Sequence, residues 1–104
     1  MNEITVEELR LKMDRGEQLH LVDVREPYEH DQFNIGGMLI PVGSIRNLDV
    51  DELDPLKEEE LILYCRSGGR SGQACQILES LGYAHTFNLI GGMLAWEQKY
   101  GTGT

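Results

Sequence analysis

The sequence predicts a small α/β domain with a central, mainly parallel sheet and helices on both faces. Three observations predict it. Short runs of branched apolar residues, of which Leu61-Ile62-Leu63-Tyr64 is the clearest, alternate with segments of helical periodicity. Glycines fall where those segments need to stop. The length of 104 residues leaves room for one domain, so residues 1–104 are read as a single unit.

Thr5-Val6-Glu7-Glu8 has the Thr-x-x-Glu form of a capping box. Leu9 and Met13 follow at helical spacing before Gly16 supplies a stop, which predicts a helix over about 5–15. His20-Leu21-Val22-Asp23-Val24 reads as a buried strand that Arg25-Glu26-Pro27 ends. Pro27-Tyr28-Glu29-His30 opens a short helix with proline in its first turn. Gly36-Gly37 then breaks the pattern before a second short strand, Met38-Leu39-Ile40, which Pro41 terminates. Residues 48–56, with Leu48, Leu53 and Leu56 among acids, predict a weak helix or turn.

After Leu61-Ile62-Leu63-Tyr64 comes a glycine-containing stretch, 66–69. From Arg70 to Leu81 the apolar residues Ala74, Ile77, Leu78 and Leu81 share one helical face, with Gly82 as the C-cap. Thr86-Phe87-Asn88-Leu89 forms a last strand, Gly91-Gly92 a turn, and Met93 to Tyr100 a final helix whose core anchor is Trp96. The domain core is placed at about 4–100, and 101–104 is expected to fray.

The composition, 40% hydrophobic and 26% charged, is that of a folded globular chain. Nine basic against eighteen acidic residues give a net charge of −9, which argues against nucleic acid and against anionic membrane surfaces. No apolar stretch approaches the roughly 20 residues of a membrane span, and no secretory signal is visible, so the expected location is cytoplasmic. Two cysteines, Cys65 and Cys75, lack metal-pair spacing and are too few for a disulfide framework; free thiols are expected. His20, His30 and His85 are scattered and read as structural or surface residues, so neither metal nor cofactor is implied.

Cys65 follows the clearest strand, at the carboxyl edge of a parallel sheet where binding sites form. Ser67-Gly68-Gly69 permits tight curvature that turns several backbone N–H groups toward one point, an anion nest to which the next helix adds its positive end. Arg66 and Arg70 bring full charges to a chain that is otherwise acidic. Together these favour the thiolate of Cys65, and a stabilised thiolate is a nucleophile. Cys75, ten positions on, sits at the flank of the apolar stripe and is assigned to packing.

Cys65-Arg66-Ser67-Gly68-Gly69-Arg70-Ser71 resembles the active-site loop of single-domain rhodaneses. Asp23-Val24-Arg25-Glu26 resembles the family's Asp-x-Arg segment, Ile40-Pro41 its Ile-Pro segment, and Gly91-Gly92 with Trp96 its Gly-Gly-x-x-x-Trp ending. The resemblance runs in order over residues 4–100, and one departure is Gln32-Phe33-Asn34 where the family carries Gly-His-Ile. It implies the three-layer rhodanese fold and a thiosulfate sulfurtransferase, with the small anionic donor giving its outer sulfur to Cys65. The persulfide would be cradled by Arg66, Ser67, Gly68, Gly69, Arg70 and Ser71, and its sulfur passed to cyanide, a thiol or a carrier protein.

For Asp23 and Arg25 two readings stand: they orient the loop arginines by ion pairing, or they pair with each other at a solvated strand end. Two rivals to the enzyme share its residues. A cysteine-dependent phosphatase needs one more residue between cysteine and arginine and a general acid; a non-catalytic binding module usually loses the cysteine.

Overall fold

The structure, a computed structural model that describes residues 1–102, forms strands where branched apolar residues cluster. These are β1 (Asn2–Ile4), β2 (His20–Asp23), β3 (Met38–Leu39), β4 (Leu61–Tyr64) and β5 (Thr86–Leu89). They make one sheet of order β1-β5-β4-β2-β3 in which every pairing is parallel. The helices are α1 (Val6–Asp14), α2 (Pro27–Gln32), α3 (Val42–Arg46), α4 (Gly69–Ser80) and α5 (Gly92–Tyr100).

The local signals act as expected. Thr5 Oγ1 accepts from the Glu8 N–H at 3.1 Å while the Glu8 carboxylate accepts from the Thr5 N–H at 3.0 Å, closing the capping box that starts α1. Pro27 sits in the first turn of α2, where its missing N–H costs nothing. Gly82 follows α4 with φ of +96°, the left-handed conformation that glycine adopts without strain.

Strand β4 is central, and all four of its residues are buried. Alternation divides them. Leu61, Leu63 and the following Cys65 enter one core with Ile45 of α3 and Ala74 and Leu78 of α4. Ile62 and Tyr64 enter a second core with Leu9 of α1 and Met93 and Trp96 of α5. The sheet is thus covered on both faces, which gives the three layers, and Trp96 is the buried anchor expected.

Two elements have no counterpart in the sequence reading. Strand β1 buries only Ile4 and so shows no alternation; it is added at the sheet edge, where the Ile4 carbonyl accepts from the Ile90 N–H at 2.9 Å. Helix α3 contains Gly43 and Ser44, poor helix formers, and is carried by packing of Val42 and Ile45 instead. The 48–56 stretch resolves into a 3-10 helix, Asp51–Leu56, that buries Leu53. At the tail, Gly101 and Thr102 form a turn, and Gly103 and Thr104 lie outside the described residues.

Because the strands are parallel, their carboxyl ends share one edge. There β4 releases Cys65, beside the end of β2, whose Asp23 is in register with Tyr64.

Candidate active site

The chain leaves β4 at Cys65, bends through Arg66 and Ser67, and enters α4 through Gly68, the N-cap, at φ of +107°. That turn brings the first amides of α4 back onto the sulfur. The Gly68 N–H donates to Cys65 Sγ at 3.1 Å and the Ser71 N–H at 3.4 Å, with the Ser71 hydroxyl oxygen at 3.3 Å. Burial opposes ionisation of Cys65, but the Ser71 hydroxyl and the amides of Ser71, Gly68 and Ser67 outweigh it. The thiol is therefore held below its ordinary value.

The loop is fixed from behind by elements remote in sequence. The Met93 N–H donates to the Cys65 carbonyl and the Leu94 N–H to the Arg66 carbonyl, both at 2.9 Å, so the first turn of α5 turns those carbonyls away from the sulfur. Gly92 allows that approach: it has φ of +55°, and a Cβ there would stand 2.7 Å from the Arg66 carbonyl oxygen and overlap that of Cys65. From β5, Asn88 Nδ2 donates to the Gly68 carbonyl at 3.1 Å, and Asn88 Oδ1 accepts from Ser71 Oγ at 2.5 Å.

The two arginines differ. Arg70 gives both terminal nitrogens to Glu29 of α2, at 2.8 and 3.1 Å. That guanidinium, helped by the Glu26 N–H, draws the Glu29 carboxyl down to about 2. Arg66 is exposed, and its side chain makes no hydrogen bond or ion pair among the described residues. It lines a cleft of about 130 Å³ with Arg25, Tyr28, Glu29, Phe33 and Glu97, room for a small anion and little more. A larger, shallower groove of about 510 Å³ between Val6, Ile90 and Lys99 is lined by neither cysteine.

The sequence matches the family described as rhodanese-like domain over residues 5–99. The chain belongs to that family. It is 38% identical over 98 residues to a sulfurtransferase of Allochromatium vinosum, covering 94% of this chain and 90% of that protein. A putative sulfurtransferase of Bacillus subtilis is 38% identical over 99 residues, covering 93% and 91%. The crystal structure of a rhodanese-like domain protein from Staphylococcus aureus matches with a TM-score of 0.82 at 32% identity, covering 92% of this chain and 91% of that one. The rhodanese fold expected from the loop motif is the fold present, and the general chemistry of these relatives is sulfur transfer.

In this rhodanese-like chain the supporting pair departs from the first of its two readings and in part from the second. Arg25 is bidentate to Asp23, at 2.9 Å for both bonds, and neither residue reaches Arg66 or Arg70. The pair is buried, not solvated, because β3 and the 33–37 segment close over the end of β2. Asp23 also meets His30 Nδ1 at 2.8 Å, and Arg25 donates to the Phe33 carbonyl at 2.7 Å. His30 is thus structural, and the segment Gln32-Phe33-Asn34 is tied down through its own backbone. The Asn34 side chain adds a bond to the His30 carbonyl and accepts from the Gly36 N–H.

Cys75 lies on the buried face of α4 with no exposure, and burial pushes its thiol up to about 11, as suits a packing residue. Among the described residues no group of three or more His, Cys, Asp or Glu is placed to hold a metal ion, and no helix is long and apolar enough to cross a membrane. The sequence reading missed Glu29 and Asn88. Glu29 carried no local mark beyond its place in α2. Asn88 did carry one, since an asparagine inside an apolar strand is disfavoured unless its amide is used.

Proposed function

We propose that Cys65 is the sulfur-carrying nucleophile of a thiosulfate sulfurtransferase. The observation that carries this reading is the convergence of the Gly68 and Ser71 amides on a buried Sγ at the start of α4. A thiolate there attacks the outer sulfur of thiosulfate; a new S–S bond forms, the old one breaks, and its electron pair leaves with sulfite. The Cys65 persulfide then yields its outer sulfur to cyanide, a thiol or a protein acceptor, which returns the thiolate. Amides of 66–70 stabilise the charge on the outer sulfur by preorganisation, and the exposed Arg66 draws the anionic donor into the cleft. Both cysteines are unpaired, which suits a reducing compartment such as the cytoplasm.

Support comes also from loop length. Four residues separate Cys65 from Arg70, which makes a cradle too narrow for a phosphoryl group. Incubation with thiosulfate followed by mass spectrometry tests the reading: one added sulfur on Cys65, removed by cyanide, is expected. A protein that gains no sulfur, or gains it elsewhere, would overturn it.

A further inference from the structure

The Ser71 hydroxyl has one hydrogen and two acceptors within reach. Its oxygen lies 2.5 Å from Asn88 Oδ1 and 3.3 Å from Cys65 Sγ. Asn88 is not free to turn, because its Nδ2 donates to the Gly68 carbonyl at 3.1 Å and so leaves Oδ1 facing Ser71. Gly72 of α4 keeps the space for this amide. Its backbone does not require glycine, yet a Cβ would come 3.3 Å from Asn88 Nδ2. All three side chains are buried, at 1% exposure for Cys65, 0% for Ser71 and 8% for Asn88, so water does not stand in for a lost partner.

We propose that Asn88 sets how readily Cys65 ionises by competing with it for the hydrogen of the Ser71 hydroxyl. This rests on Cys65 being the nucleophile. In the resting thiol the hydroxyl points at Asn88, and the Ser71 oxygen accepts from the S–H. When Cys65 gives its proton to solvent, the hydroxyl rotates onto the sulfur and Asn88 Oδ1 loses its partner. Ionisation thus costs one buried hydrogen bond. In the persulfide the negative charge sits on the outer sulfur, and the hydroxyl returns to Asn88. The pair therefore restrains the free thiolate and leaves the loaded state unopposed. A less stabilised thiolate is also a stronger nucleophile.

Asn88 is a positioning residue on this account, acting through Ser71. The other ionisable groups around Cys65 are Arg66 in the loop, Arg70 and Cys75 on α4, and Arg25 after β2, Glu29 of α2 and Glu97 of α5 across the cleft. None bonds to Asn88, so altering it leaves their charges in place.

The test is the pH dependence of Cys65 alkylation by iodoacetamide, in a Cys75→Ser background so that one thiol reports. Asn88→Leu, with the same shape and no acceptor, is expected to lower the apparent pKa of Cys65 by about one unit, a tenfold change in thiolate fraction below it. Added to Ser71→Ala, Asn88→Leu is expected to change nothing. Ser71→Ala alone is expected to raise the pKa by less than about one unit, since Asn88 already takes back part of what the hydroxyl gives the thiolate. That variant decides the matter should Asn88→Leu fail to fold by circular dichroism. An unchanged or higher pKa in folded Asn88→Leu, the same fall without Ser71, or a large rise in Ser71→Ala would each overturn the proposal. Alkylation needs no sulfur donor, so these outcomes are separate from those of the thiosulfate experiment.

Discussion

Glu29 on α2 and Arg70 on α4, 41 residues apart, meet in a two-pronged ion pair, and this pair ties the wall of the cleft to the first turn of the cradle. Glu29→Gln is expected to cost about 1–2 kcal/mol, between the values for surface and buried pairs. The folded carboxyl sits at about 2 against an ordinary 4.5, so its contribution is complete above the ordinary value and is lost as pH falls toward the lower one. Denaturant midpoints of the parent and the variant will differ at neutral pH and converge in acid. A gap that stays constant down to pH about 3 would place the effect outside this pair.

Cys65→Ser is expected to abolish sulfur transfer with the fold intact, because the hydroxyl fits among the same amides but remains protonated near neutral pH. Cys75→Ser is expected to keep most turnover, since its thiol is buried and held at about 11. Thiosulfate:cyanide assays on both variants decide this. Activity lost in folded Cys75→Ser would make that residue a second sulfur carrier.

Arg66→Ala and Arg70→Ala are expected to fail differently. Arg66 is exposed at the cleft, so its loss raises KM for thiosulfate with little change in kcat. That effect shrinks as salt shortens the Debye length below about 8 Å. Arg70→Ala strands the Glu29 carboxylate and loosens the cradle, lowering kcat at every ionic strength. Kinetics over a salt series separate the two, and equal, salt-independent losses would contradict the division.

Gly92→Ala is expected to destabilise the fold by about 2 kcal/mol or more, through overpacking and a positive φ. The added methyl would press on the Arg66 carbonyl oxygen at 2.7 Å and carbon at 2.8 Å, so α5 and the loop must part. Thermal unfolding with parallel sulfur-transfer assays checks it. A variant as stable and active as the parent would show that the loop tolerates a looser backing.

The parts of this architecture that were legible in the sequence are those made by neighbours in the chain. Thr5 and Glu8 cap α1 across three positions, and Cys65, Gly68 and Ser71 form the cradle within seven, so spacing alone reveals them. What holds the cradle is long-range. Glu29 reaches Arg70, Asn88 reaches Ser71, and the Met93 amide reaches the Cys65 carbonyl, and none of these distances leaves a periodic trace. Asp23 and Arg25 show the intermediate case: their proximity was plain, but whether they served each other or the loop depended on which helix stood opposite. Strand β1 and helix α3 escaped because each is short and owes its existence to the surface it packs on.

The backing of the loop by β5 and α5 has a consequence for biosynthesis. The thiol is translated at position 65, but its carbonyl is not turned away until Met93 emerges, nor Ser71 held until Asn88 does. A nascent chain short of those residues has the cysteine but not the backing that holds its loop. Synthesis of the last helix, not of the cysteine, is what completes the loop.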